Sequence, residues 1–130
     1  MREILFKGKR TDNKQWVEGF YALIGELNPN AYIITDNGNM IRVAHKSISE
    51  FTGLTDKNGK KIFEGDILDC VDRVVFVKWH SYCGTWDSMF IKYSGERCSN
   101  GITPAEWKYR AVIIGNIHDN PELLKGGEQE

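Results

Sequence analysis

Apolar and polar residues alternate over short stretches of this chain, and few stretches show the spacing of an amphipathic helix. Segments rich in β-branched and aromatic residues are separated by Gly, Asn and Asp, which favour turns. The pattern predicts strands at EILFK (3–7), QWVEGFYALI (15–24), AYIIT (31–35) and MIRVA (40–44). Asn37-Gly38, between the last two, is typical of a tight β-hairpin. Residues 1–50 are therefore predicted to form a β-meander.

The stretch FTGLTDKNGKKIFEGDIL (51–68) is dense in turn-forming residues. Gly53, Gly59 and Gly65 are predicted at positions whose backbone conformation favours glycine. Asp66 follows a turn, where its carboxylate can accept hydrogen bonds from neighbouring amides. A phosphate cradle would need a helix after the glycines, and a calcium loop would need further acidic positions, so neither is expected. The stretch is predicted to turn the chain and to deliver a strand to the fold that follows.

Four further strands are predicted after this stretch, with one helical turn before the last of them. They are ILDCV (67–71), VVFVKW (74–79), residues 86–93 and RAVIIG (110–115). Thr103-Pro104-Ala105-Glu106 fits a helix start, with Thr at the N-cap and Pro at the first helical position. With KKIFE (60–64) the count is five short strands, as in an SH3-like barrel. The predicted fold class is mainly β: an N-terminal β-meander, an SH3-like C-terminal barrel over residues 51–125, and a flexible tail at 126–130.

Composition adds few functional constraints. The chain has 130 residues, of which 41% are hydrophobic and 27% charged, and its formal net charge is −1, so bulk charge gives no case for nucleic acid or a membrane surface. It has no apolar signal segment near the N-terminus, and the expected location is cytoplasmic. Its three cysteines form no CxxC pair, which argues against a disulfide framework and a thiolate zinc site. No cofactor or metal is expected.

Two segments, FTGLTDKNGKKIFEGDIL and IIGNIHDNPELL, resemble the hallmark segments of the YopX family, small proteins carried by phages and prophages of bacteria. The opening MREILFKGKRTDNKQWVEGFY also resembles the usual start of that family, and the resemblance runs from Arg2 to about Leu124. It implies an SH3-like architecture in the C-terminal half and a bacterial or phage setting. It implies no established activity and no catalytic residues.

The strongest candidate binding site is an aromatic cluster around the loop HSYCGT (80–85). Trp79 and Trp86 bracket this loop, and Tyr82 lies within it. Exposed aromatic side chains can stack on bases or hold a peptide. Phosphate contacts could come from the nearby cations Lys78, Lys92, Lys108 and Arg110. The alternative is that the tryptophans pack in the core.

A second candidate is the group His80, Cys83 and Asp87. It could supply a nucleophilic Cys–His pair or metal ligands, and a catalytic Cys83 would label faster than Cys70. The alternative, a polar hairpin loop, is preferred, so the protein is predicted not to be an enzyme and to have no catalytic residue.

The functional hypothesis is a non-enzymatic phage or prophage accessory protein that binds an unknown host or phage macromolecule. The alternative is a small β-barrel that binds nucleic acid through Trp79, Trp86, Lys78 and Lys92. The strands EILFK and AYIIT are expected to present unpaired edges, which pairing with another copy would cover, so a homo-oligomer is expected.

Overall fold

The computed structural model describes residues 4–71, 73–80, 85–93 and 104–123, with only the backbone described at 73, 80 and 87–93. In these ranges the chain is mainly β, with two antiparallel sheets. It divides into two compact units, Met1–Phe51 and Thr52–Glu130. None of the helices in the described ranges is long and apolar enough to cross a membrane.

The described strands, in chain order, are β1 (Phe6–Lys9), β2 (Trp16–Ile24), β3 (Asn30–Ile34), β4 (Met40–Val43), β5 (Ser49–Thr55), β6 (Lys61–Phe63), β7 (Asp66–Asp69), β8 (Arg73–His80), β9 (Thr85–Tyr93) and β10 (Val112–Asn116). A 3₁₀ turn at His45–Ser47 precedes β5, and a second at Pro104–Glu106 leads into the short helix α1 (Trp107–Arg110).

The first unit is built on a β-meander, as the alternation predicted. Its strand order is β4-β3-β2-β1-β5, and sequential strands pair antiparallel. The long strand β2 changes partner at Gly19, pairing with β1 before it and with β3 after it. A side chain at Gly19 would collide with the carbonyl oxygen of Ile34, so only glycine allows β3 to approach this closely. The hairpin predicted at Asn37-Gly38 joins β3 to β4, with Gly38 at φ 87°.

The meander sheet curls until the end of β1 meets β4. Arg10 forms a single bridge with Val43, and the Ala44 N–H donates a 2.8 Å hydrogen bond to the Lys9 carbonyl. The curl encloses a small apolar core in which Ala31, Ile33 and Val43 are fully buried. Phe6, Val17, Tyr21 and Ile48 pack around these three residues.

The expectation of unpaired edges at EILFK and AYIIT was wrong. β1 lies between β2 and β5, and β3 lies between β2 and β4. Both strands therefore have hydrogen-bonded neighbours on each side, and their edges provide no reason for pairing with another copy. The local pattern identifies the strands, but it does not specify which strand lies next to which, because that depends on residues far apart in the sequence.

The glycine-rich stretch turns the chain as predicted. Gly53, Gly59 and Gly65 have φ values of 87°, 82° and 88°, in the left-handed region that favours glycine. β5 carries the chain into the second unit, where it lies beside β6. The Asp66 carboxylate accepts a 2.8 Å hydrogen bond from the Phe63 N–H, which confirms the expected role of this side chain in the turn.

The second sheet has the order β10-β7-β8-β9 and is antiparallel throughout. In the described ranges no sheet closes into a barrel, so the SH3-like barrel is not confirmed. The five predicted barrel strands are split, because β6 joins β5 and the other four form an open sheet. A core of buried side chains packs in this unit, including Ile62, Leu68, Cys70, Val75, Val77, Trp86, Trp107 and Ala111.

The helical turn predicted before the last strand is present as Pro104–Glu106 followed by α1. Thr103, its predicted N-cap, lies outside the described residues. The Trp107 side chain is fully buried and anchors the turn to the core of the second unit. The Ala111 N–H closes the helix with a 2.9 Å hydrogen bond to the Trp107 carbonyl.

Candidate functional site

The predicted aromatic site is only partly brought together by the fold. Trp79 and Trp86 are direct cross-strand partners on β8 and β9. Their rings meet edge to face, with the ring centroids 4.9 Å apart. Trp86 is 7% exposed and belongs to the core cluster, whereas Trp79 is 38% exposed. Of the pair, Trp79 is the ring that solvent can reach, and Trp86 would have to leave the core to stack on a ligand.

Two of the cations predicted for this site, Lys78 and Lys92, lie elsewhere on the sheet. Lys78 precedes Trp79 on β8, so its side chain points to the opposite face of the strand. Lys92 pairs with Val74, five positions before Trp79 on β8, which places its backbone roughly 17 Å away along the strand. Tyr82 lies outside the described residues. The role of these residues in binding stays a prediction.

The candidate catalytic group is described only in part. His80 and Asp87 have a described backbone, in strands β8 and β9, and Cys83 lies outside the described residues. Among the described residues no group of three or more His, Cys, Asp or Glu side chains could hold a metal ion.

A surface that the sequence did not reveal lies on the first sheet. Side chains of β3 alternate between the buried Ala31 and Ile33 and the partly exposed Tyr32 and Ile34. Cross-strand partners share a face of a sheet, so Phe20 and Ala22 on β2 and Met40 and Arg42 on β4 lie on the same face as Ile34 and Tyr32. We call this surface the outer face; it consists of Phe20, Ala22, Tyr32, Ile34, Met40 and Arg42.

An apolar row crosses the outer face. Phe20 pairs with Ile34, and Ile34 pairs with Met40, so the three side chains stand side by side on three adjacent strands. Phe20 is 61% exposed and Met40 is 52% exposed. Large apolar side chains that are exposed singly are normal, but a contiguous row is typical of an interaction surface.

Cations flank this row. In the next row Tyr32 pairs with Arg42, whose guanidinium donates a 3.0 Å hydrogen bond to the side-chain oxygen of Asn30, a neutral partner. In the part of β2 that precedes Gly19, the Trp16 ring lies beside two lysines. The ammonium groups of Lys7 and Lys9 are 4.5 and 5.8 Å from the centroid of this ring.

The turn after β1 carries an ion pair. The Arg10 guanidinium lies 2.8 Å from the Asp12 carboxylate. This hydrogen bond lowers the pKa of Asp12 and raises the pKa of Arg10. Arg10 is therefore paired with a carboxylate, whereas the nearby Arg42 is held by an amide oxygen.

Sequence reasoning missed the outer face because β2 is apolar on both of its faces. Phe20 to Ile24 are five apolar residues in succession, and alternation cannot tell which of them point outward. The signal that could have found the surface is the excess of apolar side chains over what the small core of the first unit can bury.

The fold and its surfaces define a mainly β protein of two small units, each with its own apolar core. A family model described as YopX protein matches residues 5–125, and the chain belongs to the YopX family. The resemblance of its glycine-rich and C-terminal segments to that family is thereby confirmed. No curated protein matches the chain.

One solved structure is similar to this protein over nearly its whole length. It is the crystal structure of protein EF1440 from Enterococcus faecalis, with 25% sequence identity and a TM-score of 0.58. The match covers 95% of this chain and 99% of the other. The similarity supports the two-unit β architecture and names no activity.

Proposed function

We propose that this YopX-family protein is a non-enzymatic accessory protein of a phage or prophage that works by binding a host or phage protein in the bacterial cytoplasm. The observation that carries the proposal is the exposed row Phe20–Ile34–Met40 on the outer face. Leaving two large apolar side chains more than half exposed has a free-energy cost that binding would recover, because burying such a side chain contributes about 1.5–3 kcal/mol.

The outer face suits a protein partner of particular chemistry. Its centre is apolar, and its surroundings contain Arg42 on one side and the Lys7, Lys9 and Trp16 group on the other. Protein interfaces commonly have an apolar core rich in aromatic residues and Met, with a polar rim. The partner we propose is a protein surface with an apolar centre and an acidic group opposite Arg42, because charges of opposite sign at the rim guide association.

For the second unit, the sequence predicts an SH3-like barrel. The unit has an open antiparallel sheet of four short strands, with a helical turn immediately before the last of them in the chain. We propose that this unit is an open relative of that barrel and that it stabilises the chain while the first unit binds.

Affinity purification tests the proposal. Tagged protein would be recovered from its bacterial host with and without nuclease, and the copurified proteins identified by mass spectrometry. We expect a specific protein that survives nuclease treatment. Recovery of the bait alone at the mass of an oligomer would assign the outer face to self-association, and recovery that collapses with nuclease would contradict a protein partner.

A further inference from the structure

The second unit brings two cationic segments together that are far apart in sequence. The loop at residues 56–60 lies against the start of β10, because the Lys57 N–H donates a 2.9 Å hydrogen bond to the Ala111 carbonyl. The Ile113 N–H donates a 3.1 Å hydrogen bond to the Asp56 carboxylate at the same junction. Ala111 directly follows α1, so the loop lies beside the last residues of that helix.

This arrangement produces a surface that we call the basic corner; it consists of Lys57, Lys60, Lys108, Tyr109 and Arg110. The three lysines are exposed. Among the described residues, no carboxylate lies within ion-pair distance of their ammonium groups. Their side chains lie at the surface, where an anionic partner can reach them.

Three carboxylates on or beside these two segments have partners within the protein. Asp56 is 2% exposed, and its two oxygens accept hydrogen bonds from the backbone N–H groups of Asn58, Lys60 and Ile113. Glu106 lies 3.7 Å from the Arg110 guanidinium, an i,i+4 pair on the helical turn. Asp69, which pairs with Val112 at the end of β7, accepts a 3.0 Å hydrogen bond from the Val71 N–H.

An aromatic ring stands out from the same surface. Tyr109 is 71% exposed, although its neighbour Trp107 is fully buried and holds the helical turn in place. The Lys108 ammonium lies 5.5 Å from the centroid of the Tyr109 ring. An exposed ring beside exposed cations is the combination by which proteins hold single-stranded nucleic acid, with bases stacked on the ring and phosphates beside the cations.

We propose that the basic corner binds single-stranded nucleic acid, with Tyr109 stacking on a base and Lys57, Lys60 and Lys108 contacting phosphates. This goes beyond the proposed function, which places a protein partner on the first unit, and it does not depend on it. An acidic peptide could also meet the three cations, but it would leave the exposed ring without a role. The proposed nucleic-acid site therefore differs from the one predicted from the sequence. It lies at a different end of the second sheet from Trp79 and Trp86.

The test is fluorescence anisotropy with the full chain and short dye-labelled single-stranded DNA and RNA of mixed sequence, over a series of salt concentrations. Three phosphate contacts predict that log K falls against log salt with a slope of about −2, since each contact to a single strand contributes about −0.7. Tyr109→Ala should weaken binding about 5- to 150-fold, the range for loss of one stacked base. Tyr109→Phe, which keeps the ring, should bind as the wild type does.

The charged side chains are tested with a matched pair of variants. Lys57→Glu should weaken binding, whereas Lys46→Glu, the same change of charge at an exposed lysine of the first unit, should leave binding unchanged. All these side chains are exposed, so the variants should fold, which far-UV circular dichroism checks.

Four results would each overturn the proposal. They are no binding of either oligonucleotide at low salt, equal losses from the Lys46 and Lys57 variants, full competition by polyglutamate, and binding unaffected by Tyr109→Ala. None of these results would bear on a protein partner at the outer face, so the two proposals fail independently.

Discussion

The carboxylate of Asp56 accepts a hydrogen bond from the backbone N–H of Ile113, 57 positions later in the chain. The other carboxylate oxygen accepts from Asn58 and Lys60, so one buried side chain both shapes a tight loop and ties it to the last strand. Buried carboxylates are costly unless their oxygens are paired, and here backbone amides supply the partners. The acidic residue of the stretch DKNGK (56–60) thus has an architectural role.

Removing this carboxylate should destabilise the second unit. Asp56→Ala leaves three backbone N–H groups without their acceptor, and we expect it to lower the free energy of unfolding by about 2–4 kcal/mol. Asp56→Asn keeps one acceptor oxygen and should fall in between. Urea denaturation measures both, with the exposed Asp36→Ala as a control that should stay within about 0.5 kcal/mol of wild type. Equal losses at Asp56 and Asp36 would show that the hydrogen bonds contribute little.

Trp79 and Trp86, whose rings meet edge to face, should behave differently when truncated. Trp86→Ala removes a core side chain and should cost about 3–5 kcal/mol, the range for large aromatic residues. Trp79→Ala removes a partly exposed ring and its edge-to-face contact, which contributes about 0.5–1.5 kcal/mol beyond area burial. Thermal or urea unfolding compares the two variants. A larger loss at Trp79 than at Trp86 would contradict the assignment of Trp86 to the core.

Gly19 should be intolerant of any side chain. Gly19→Ala places a methyl group against the Ile34 carbonyl oxygen, where backbone must move, and should cost more than about 3 kcal/mol, the upper range for overpacking. Gly38→Ala is the matched control, because its added methyl group meets open space and only the left-handed backbone is strained, at about 1–2 kcal/mol. Equal costs at the two positions, measured by urea denaturation, would mean that β2 and β3 can separate without penalty.

The Cys70 thiol should be protected in the native protein, because its side chain is fully buried. A variant with Cys83→Ser and Cys98→Ser leaves Cys70 as the single thiol. We expect a thiol reagent such as dithionitrobenzoate to react with it only after unfolding. Fast reaction under native conditions would contradict the described core, and it would also remove Cys70 as the slow reference for any reactive Cys83.

Local features of the fold could be predicted from the sequence because their causes are local. Gly53, Gly59 and Gly65 stand where the backbone is left-handed, and Asn37-Gly38 forms the expected hairpin. Partner choice could not be predicted in this way. β1 lies beside β5 as well as β2, and only packing over long sequence distances decides that second partner.

The candidate sites show the same limit. Sequence proximity grouped Trp79, Trp86 and Lys78, yet strand alternation sends Lys78 to the opposite face. The outer face and the basic corner each depend on contacts across the fold. The pairing of Phe20 with Ile34 and the hydrogen bond from Lys57 to Ala111 are such contacts, and no spacing along the chain encodes them.

The most direct test of the account compares what two charged variants of the tagged protein recover from the bacterial host. Phe20→Glu places a carboxylate in the centre of the outer face, whereas Leu27→Glu places one at a 92% exposed apolar residue in the turn between β2 and β3. The account predicts that the nuclease-resistant partner is lost with Phe20→Glu and retained with Leu27→Glu. Equal recovery with both variants would contradict binding through the outer face.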